Sequence, residues 1–192
     1  MSHTDAEKWD QIYRDRPVTA SPAASVLTEN LHLLPKSGTA LDAACGTGAN
    51  AIVLARQGLE THAWDISEQA LDLLSKSVAN DNLNLITTQR DIESHPPVAN
   101  SFDVIVVSRF LDRSIVRHLI SALRQGGLIY YQTFIMDQRD VCGPSNPAYR
   151  LDSNELLRLF STLHLICYRE EGTIGELSIG FRNEAMLIAQ KR

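Results

Sequence analysis

At 192 residues the chain is long enough for one well-buried domain and short for two, because autonomous domains cluster at roughly 100 to 200 residues. A composition of 44% hydrophobic and 21% charged residues argues against extended disorder. The net charge of -5, without any cluster of Lys and Arg, argues against a nucleic-acid partner.

The three cysteines, Cys45, Cys142 and Cys167, are widely spaced and form no C-x-x-C pair, so no metal site is expected and a reduced, cytoplasmic compartment fits best. The N-terminal "MSHTDAEKWDQIYRDR" lacks a basic stretch followed by an apolar core, and no window approaches about 18 apolar residues. Neither a signal peptide nor a membrane span is expected. One domain over 1–192 is the expectation, with N-terminal helices in 1–38 as a candidate lid and an α/β core in 39–192.

In chain order, Thr4-x-x-Glu7 reads as a capping box ahead of a helix that lines up Trp9, Ile12 and Tyr13. A second helix is expected from "SPAASVL", with Ser21 as cap, Pro22 in the first turn and Val26, Leu27, Leu31 and Leu34 as its stripe. From Thr39 the pattern becomes strand, turn, helix. "TALDAAC", "ETHAWD", "LNLITTQRD", "FDVIVVS" and "LIYYQTF" read as strands. "NAIVLARQG", "SEQALDLLSKSVAN" (capped by Ser67) and "RSIVRHLISALRQGG" read as the helices between them, and "MDQRDVCGPSNPAYRLD" as a loop.

Five such strands joined by helices imply a parallel sheet, since parallel neighbours need crossover connections. After the helix "SNELLRLFSTL", the runs "HLICYREE" and "EAMLIAQKR" have no helix between them and should pair as an antiparallel hairpin on the sheet edge. The fold class expected is α/β: a mostly parallel, Rossmann-like seven-stranded sheet with helices on both faces.

Gly46 and Gly48 lie just past the first strand, where ligands of open α/β sheets bind. Glycine there permits a tight turn and close approach of a cofactor. Asp65, at the end of the next strand, can bind ribose hydroxyls, or it can act as an N-terminal helix aspartate. Three features favour S-adenosylmethionine (SAM) over a dinucleotide. Asp42 is a carboxylate in an apolar strand end, where it needs a cationic or hydrogen-bonding partner. Ala51 replaces the third glycine that a diphosphate demands. The closing hairpin and leading helices are the third.

"LDAACGTGANAIVLARQG" followed by "AWDIS" resembles the glycine motif and acidic strand end of the class I SAM-dependent methyltransferases. Within that superfamily "WDQIY", "DNLNLITTQRDI" and the helix entered at "NEL" resemble the TehB-like, tellurite-resistance enzymes. The resemblance implies that Asp42, Gly46 and Gly48 line the methionine part of SAM, with Cys45 packing beside them. It implies that Asp65 holds the ribose and Ile66 packs on adenine, that Asp91 and the backbone of Ile92 meet the adenine edge, and that Ser108 faces the sulfonium. Asp91 has a competing reading as an Asx turn. SAM is the implied cofactor and S-adenosylhomocysteine the product.

The catalytic residue is unassigned: His95 and His118 read as surface or capping residues, and Tyr130 and Tyr131 as core, one on each side of the sheet. Arg109 and Arg113 either offer guanidinium forks to an anionic substrate or pair with nearby acids. Trp9 and Tyr13 are either a lid or helix packing, and Asn146 sits in "CGPSNPAY", a candidate substrate loop. The function expected is methyl transfer to a small, anionic or chalcogen- or thiol-bearing acceptor by a monomer or homodimer, with no membrane partner. The alternatives are a non-catalytic SAM-binding module and an NAD(P)-dependent oxidoreductase.

Overall fold

The computed structural model describes residues 3–14 and 22–192. The Ser21 cap and the Thr4 side chain of the capping box fall outside the described residues. The first helix, α1, runs His3–Arg14. The second is much shorter than its apolar stripe suggests: α2 covers Ser25–Thr28, and a separate 3₁₀ turn covers Leu31–Leu33. Asn30 explains the break. Its side-chain amide donates to the Val26 carbonyl at 3.0 Å, taking the acceptor a continuing helix would use, and its backbone N–H turns instead to Leu27.

The core alternates as expected: β1 Thr39–Ala43, α3 Ala49–Arg56, β2 Glu60–Asp65, α4 Glu68–Ser77, β3 Leu85–Gln89, β4 Phe102–Ser108, α5 Val116–Ala122 and β5 Leu123–Phe134. Then follow α6 Glu155–Leu159, β6 His164–Arg169 and β7 Glu184–Gln190. Ser67 caps α4 through its side chain, which accepts from the Ala70 N–H at 3.1 Å. The helix α5 stops before "LRQGG", which the sequence pattern places in the helix. Asn100 and Ser101 N–H groups take the Ser121 and Ala122 carbonyls at 3.0 and 2.8 Å, and Leu123 enters the sheet opposite Phe102. Residues 124–127 then stand opposite Asp103 alone, three more than a regular ladder holds, before Leu128 pairs with Val104.

All seven strands form one sheet in the order β3-β2-β1-β4-β5-β7-β6. The hairpin is at the edge as expected, but β7 is inserted between β5 and β6 and is antiparallel to both, so it alone is reversed. Leu41, Ile105, Val107, Ile129 and Tyr131 build the core on one face with α5 and α6. Ala40, Val104, Val106, Tyr130 and Ile188 build the other with α2 and Leu54 of α3. Tyr130 and Tyr131 are therefore core residues on opposite faces, with hydroxyls donating to the Asn30 and Phe110 carbonyls. No described helix is long and apolar enough to cross a membrane, and no metal-binding cluster occurs among the described residues.

Candidate active site

The strand order reverses between β1 and β4, and a cleft of about 1260 Å³ opens at the carboxyl ends of these strands. Single-ligand pockets run to roughly 300–1,000 Å³. The cleft is larger than that range.

The glycine turn forms one wall. Ala44, Gly46 and Gly48 all have left-handed backbone, at φ 54, 54 and 75. A β-carbon on Gly46 would stand 2.7 Å from the Tyr13 hydroxyl, so the turn and α1 approach each other as closely as glycine permits. Gly46, Cys45 and Asn50 line the cleft. Gly48 does not: it faces inward, where a β-carbon would meet the Leu74 methyls of α4 at 2.4 and 2.5 Å. Its role is close packing of the turn on α4.

Asp42 also departs from the expectation. It is wholly buried and outside the cleft lining, and its carboxylate accepts from the Ala51 N–H at 2.9 Å and the Asn50 amide at 3.5 Å. Facing the free N–H groups of α3, it is satisfied by the protein itself. Burial pushes this carboxyl up to about 7, against the Ala51 and Asn50 hydrogen bonds, with the Asp65 charge adding to the rise. Burial likewise raises the Cys45 thiol, helped by the charges of Asp42 and Asp65.

Asp65 lines the cleft at the end of β2. Its Oδ2 accepts from the Gly46 N–H at 2.7 Å and its Oδ1 from the Ser67 N–H at 2.9 Å. Burial raises its pKa despite these bonds. Each oxygen retains acceptor capacity, which suits a vicinal diol. The first helix closes over this end, because Asp10 accepts from the Ser67 hydroxyl at 2.6 Å and the Gln69 N–H at 3.2 Å. That places Trp9 and Tyr13, whose rings are 6.1 Å apart and tilted by 30°, in the cleft lining. Ile66, Asp91 and Ile92 line the same half. Asp91 also makes the Asx turn, accepting from Glu93 N–H at 3.0 Å and Ser94 hydroxyl at 2.6 Å.

The other half is built by the ends of β4, β5 and β7. Ser108 accepts from the Asn50 amide at 2.9 Å. Arg109 follows in left-handed backbone, φ 54, with its N–H on the Gln132 carbonyl at 2.8 Å. Its guanidinium Nε donates to Glu184 at 3.1 Å, and the Gln132 amide donates to the other Glu184 oxygen. Asn146 lines this half and caps a 3₁₀ turn at Pro147–Tyr149 through Ala148 N–H. Arg113 is absent from the lining and corrects the two-fork expectation. Its Nε and Nη2 clamp Glu155 at 2.6 and 2.9 Å, while Nη1 and Nη2 hold the Ala148 and Arg150 carbonyls. It is a staple for the loop.

Sequence reasoning missed Asn50, Gln132 and Glu184. Asn50 accepts from Ala24 N–H and Gln132 from Val26 N–H, each at 2.8 Å, so both also anchor α2. A polar residue inside "YYQTF" was a usable signal. It missed as well that the connection at 170–183 enters the cleft wall through Phe181 and Arg182. No histidine lines the cleft among the described residues. Asp65 supplies the acceptors a ribose needs, beside the turn formed by Ala44, Cys45, Gly46 and Thr47.

Residues 40–127 match the family described as a methyltransferase domain. TehB of Haemophilus influenzae, named a probable S-adenosyl-L-methionine-dependent methyltransferase, is 29% identical over 146 residues, which are 71% of this chain and 49% of that protein. The release factor glutamine methyltransferase of Streptococcus pneumoniae is 30% identical over 155 residues, 73% of this chain and 53% of that protein. The crystal structure of H. influenzae TehB superposes with a TM-score of 0.72 at 23% identity, covering 96% of this chain and 67% of that one. The chain is thus similar to these methyltransferases in fold and, over residues 40–127, in sequence pattern. Among these the chain resembles TehB, and it spans about half the length of the curated relatives it matches.

Proposed function

We propose that the chain is a SAM-dependent methyltransferase acting on a small, anionic or chalcogen- or thiol-bearing acceptor. The observation that carries this reading is the two-part cleft: a glycine turn with Asp65 at one end and a separate half around Arg109 at the other. In this reading Gly46, Cys45, Asp65, Ile66, Asp91, Ile92 and Ser108 hold SAM, which supplies a methyl group on a positively charged sulfur. Asp42 and Gly48 hold the turn in shape from behind. Trp9 and Tyr13 cover the cofactor end and exclude water, and alignment of acceptor and donor is the protein's main contribution. One matched relative is named for release factor glutamine and the other's name gives no acceptor, so the matched segment does not carry the acceptor with it. We assign the chain to the cytoplasm, as a monomer or homodimer without nucleic-acid or membrane partners.

Thermal shift with SAM, S-adenosylhomocysteine and NAD, on wild type and Asp65→Ala, tests the reading. Ligand at about 100 times Kd should stabilise wild type by roughly 2.7 kcal/mol. SAM should shift wild type, and Asp65→Ala should lose most of the shift. A shift with NAD alone would overturn the reading in favour of an oxidoreductase. Tight SAM binding without turnover on any acceptor would convert it to a SAM-binding module.

A further inference from the structure

We infer that the acceptor half of the cleft takes a small organic carboxylate with an aromatic or aliphatic body, its carboxylate on the Arg109 guanidinium. This rests on the methyltransferase reading and narrows its acceptor.

Arg109 is the one described lining arginine with both Nη groups unbonded, since its single side-chain hydrogen bond, from Nε to Glu184, leaves them over. The side chain is 45% exposed although its partner Glu184 is 9% exposed. The other arginines there are spent. Arg182 donates to the Ile179, Gly172, Ile174 and Glu176 carbonyls, and Arg139 to Asp140 and the Leu177 carbonyl. Two parallel N–H groups in one plane match the two oxygens of a carboxylate. The fork is held in place beforehand: backbone N–H on Gln132, Nε on Glu184, Glu184 on the Gln132 amide, and Gln132 on the Val26 N–H. Little ordering is left to be done on binding.

Two further observations narrow the class. The Arg109–Glu184 pair is close to neutral overall, and Arg139 and Arg182 stand beside Asp140 and Glu171. A site with its charges so balanced suits a monoanion and disfavours a multiply charged inorganic oxyanion, which would meet Glu184 at close range. The same half is walled by Phe134, Tyr149, Phe181 and Pro144, surfaces that a bare oxyanion leaves unused and an apolar body covers.

Isothermal titration of the S-adenosylhomocysteine-loaded chain tests this with 3-phenylpropionate, its uncharged amide, benzenethiol, selenite and tellurite. The carboxylate should bind, the amide about 10- to 100-fold more weakly, and the oxyanions no better than the amide, as expected for loss of charge-assisted hydrogen bonds. Arg109→Gln should weaken 3-phenylpropionate by about 10- to 100-fold and leave S-adenosylhomocysteine affinity unchanged. The double variant Arg109→Gln with Glu184→Gln leaves no stranded carboxylate and should show the same loss, which separates recognition from misfolding. Selenite, tellurite or the thiol binding more tightly than the carboxylate, or carboxylate binding indifferent to Arg109, would overturn the inference. Failure of wild type to bind S-adenosylhomocysteine would instead overturn the methyltransferase reading beneath it.

Discussion

Stability should fall as pH rises through neutrality, with Asp42 as a principal cause. This carboxyl has a pKa of about 7 in the folded chain against an ordinary 3.8, because burial outweighs the hydrogen bonds from Ala51 and Asn50. The folded chain therefore keeps a proton that the unfolded chain has already released. The resulting stabilisation is complete below 3.8 and is lost as pH rises through about 7. Roughly three pKa units at about 1.36 kcal/mol each amount to about 4 kcal/mol over the whole window. Asp65, also raised by burial, contributes with the same sign. Glu155 contributes with the opposite sign: burial pushes it up, but the hydrogen bonds from Arg113 and the Asp152 N–H prevail and hold it low. Its stabilisation is lost as pH falls below the ordinary glutamate value of 4.5, at the acid end of this window.

Asp42→Asn isolates the effect. The amide oxygen can still accept from the Ala51 N–H, but nothing at that position ionises. Urea unfolding of wild type and variant between about pH 5 and pH 8 traverses roughly two of those units and should give a stability difference that moves against wild type by roughly 2–3 kcal/mol as pH rises. The reasoning would be refuted by curves that stay parallel to within about 0.5 kcal/mol across that range.

Two further substitutions probe the frame around the cleft. Gly48→Ala places a β-carbon in left-handed backbone at φ 75 and 2.4 Å from a Leu74 methyl, so a loss of about 2–4 kcal/mol is expected from strain and overpacking. In a Leu74→Ala background the increment should shrink to the backbone part alone, and an unchanged increment in urea unfolding would remove Leu74 from the explanation. Glu155→Gln leaves Arg113, 40% exposed, without its charged partner. A loss of about 1–2 kcal/mol follows after allowing for solvent screening. Proteolysis within 136–150 should quicken in this variant, and an unaltered cleavage rate would deny Arg113 its role as the staple of that loop.

The alternation of strands and helices was legible because burial on both faces of a parallel sheet writes long apolar runs into β1, β4 and β5. The Ser67 cap and the turn at Gly46 were legible for the same local reason: a few neighbouring residues specify them. Features settled by one side chain reaching backward were not. Asn30 ends α2 by taking a carbonyl, and no apolar stripe reports that. Arg113 finds Glu155 forty-two positions away, while the nearer Asp112 turns to the Ser114 N–H at 2.6 Å. Glu184 reaches Arg109 and Gln132 only because β7 enters the sheet antiparallel with Glu184 opposite Phe134, a register that no segment read alone contains.

Asp42 and Asp65 show the limit most clearly. Both are acids at the carboxyl ends of neighbouring strands, both are buried, and on sequence both suit a ligand. Depth along the strand separates them, since Asp42 pairs with Ala63 and so shares a face with Asp65 two residues further on. Asp42 stands in register with Val106 and, one strand further, Tyr130, so its side chain lies on the face where α3 packs and meets the Ala51 N–H. Asp65, the last residue of its strand, accepts from the Ser67 N–H at the start of α4 and from the Gly46 N–H of the turn, and lines the cleft. An acid ahead of a glycine turn is thus evidence first about how the turn is held. Evidence about the ligand resides in the acid whose oxygens remain on the cleft side.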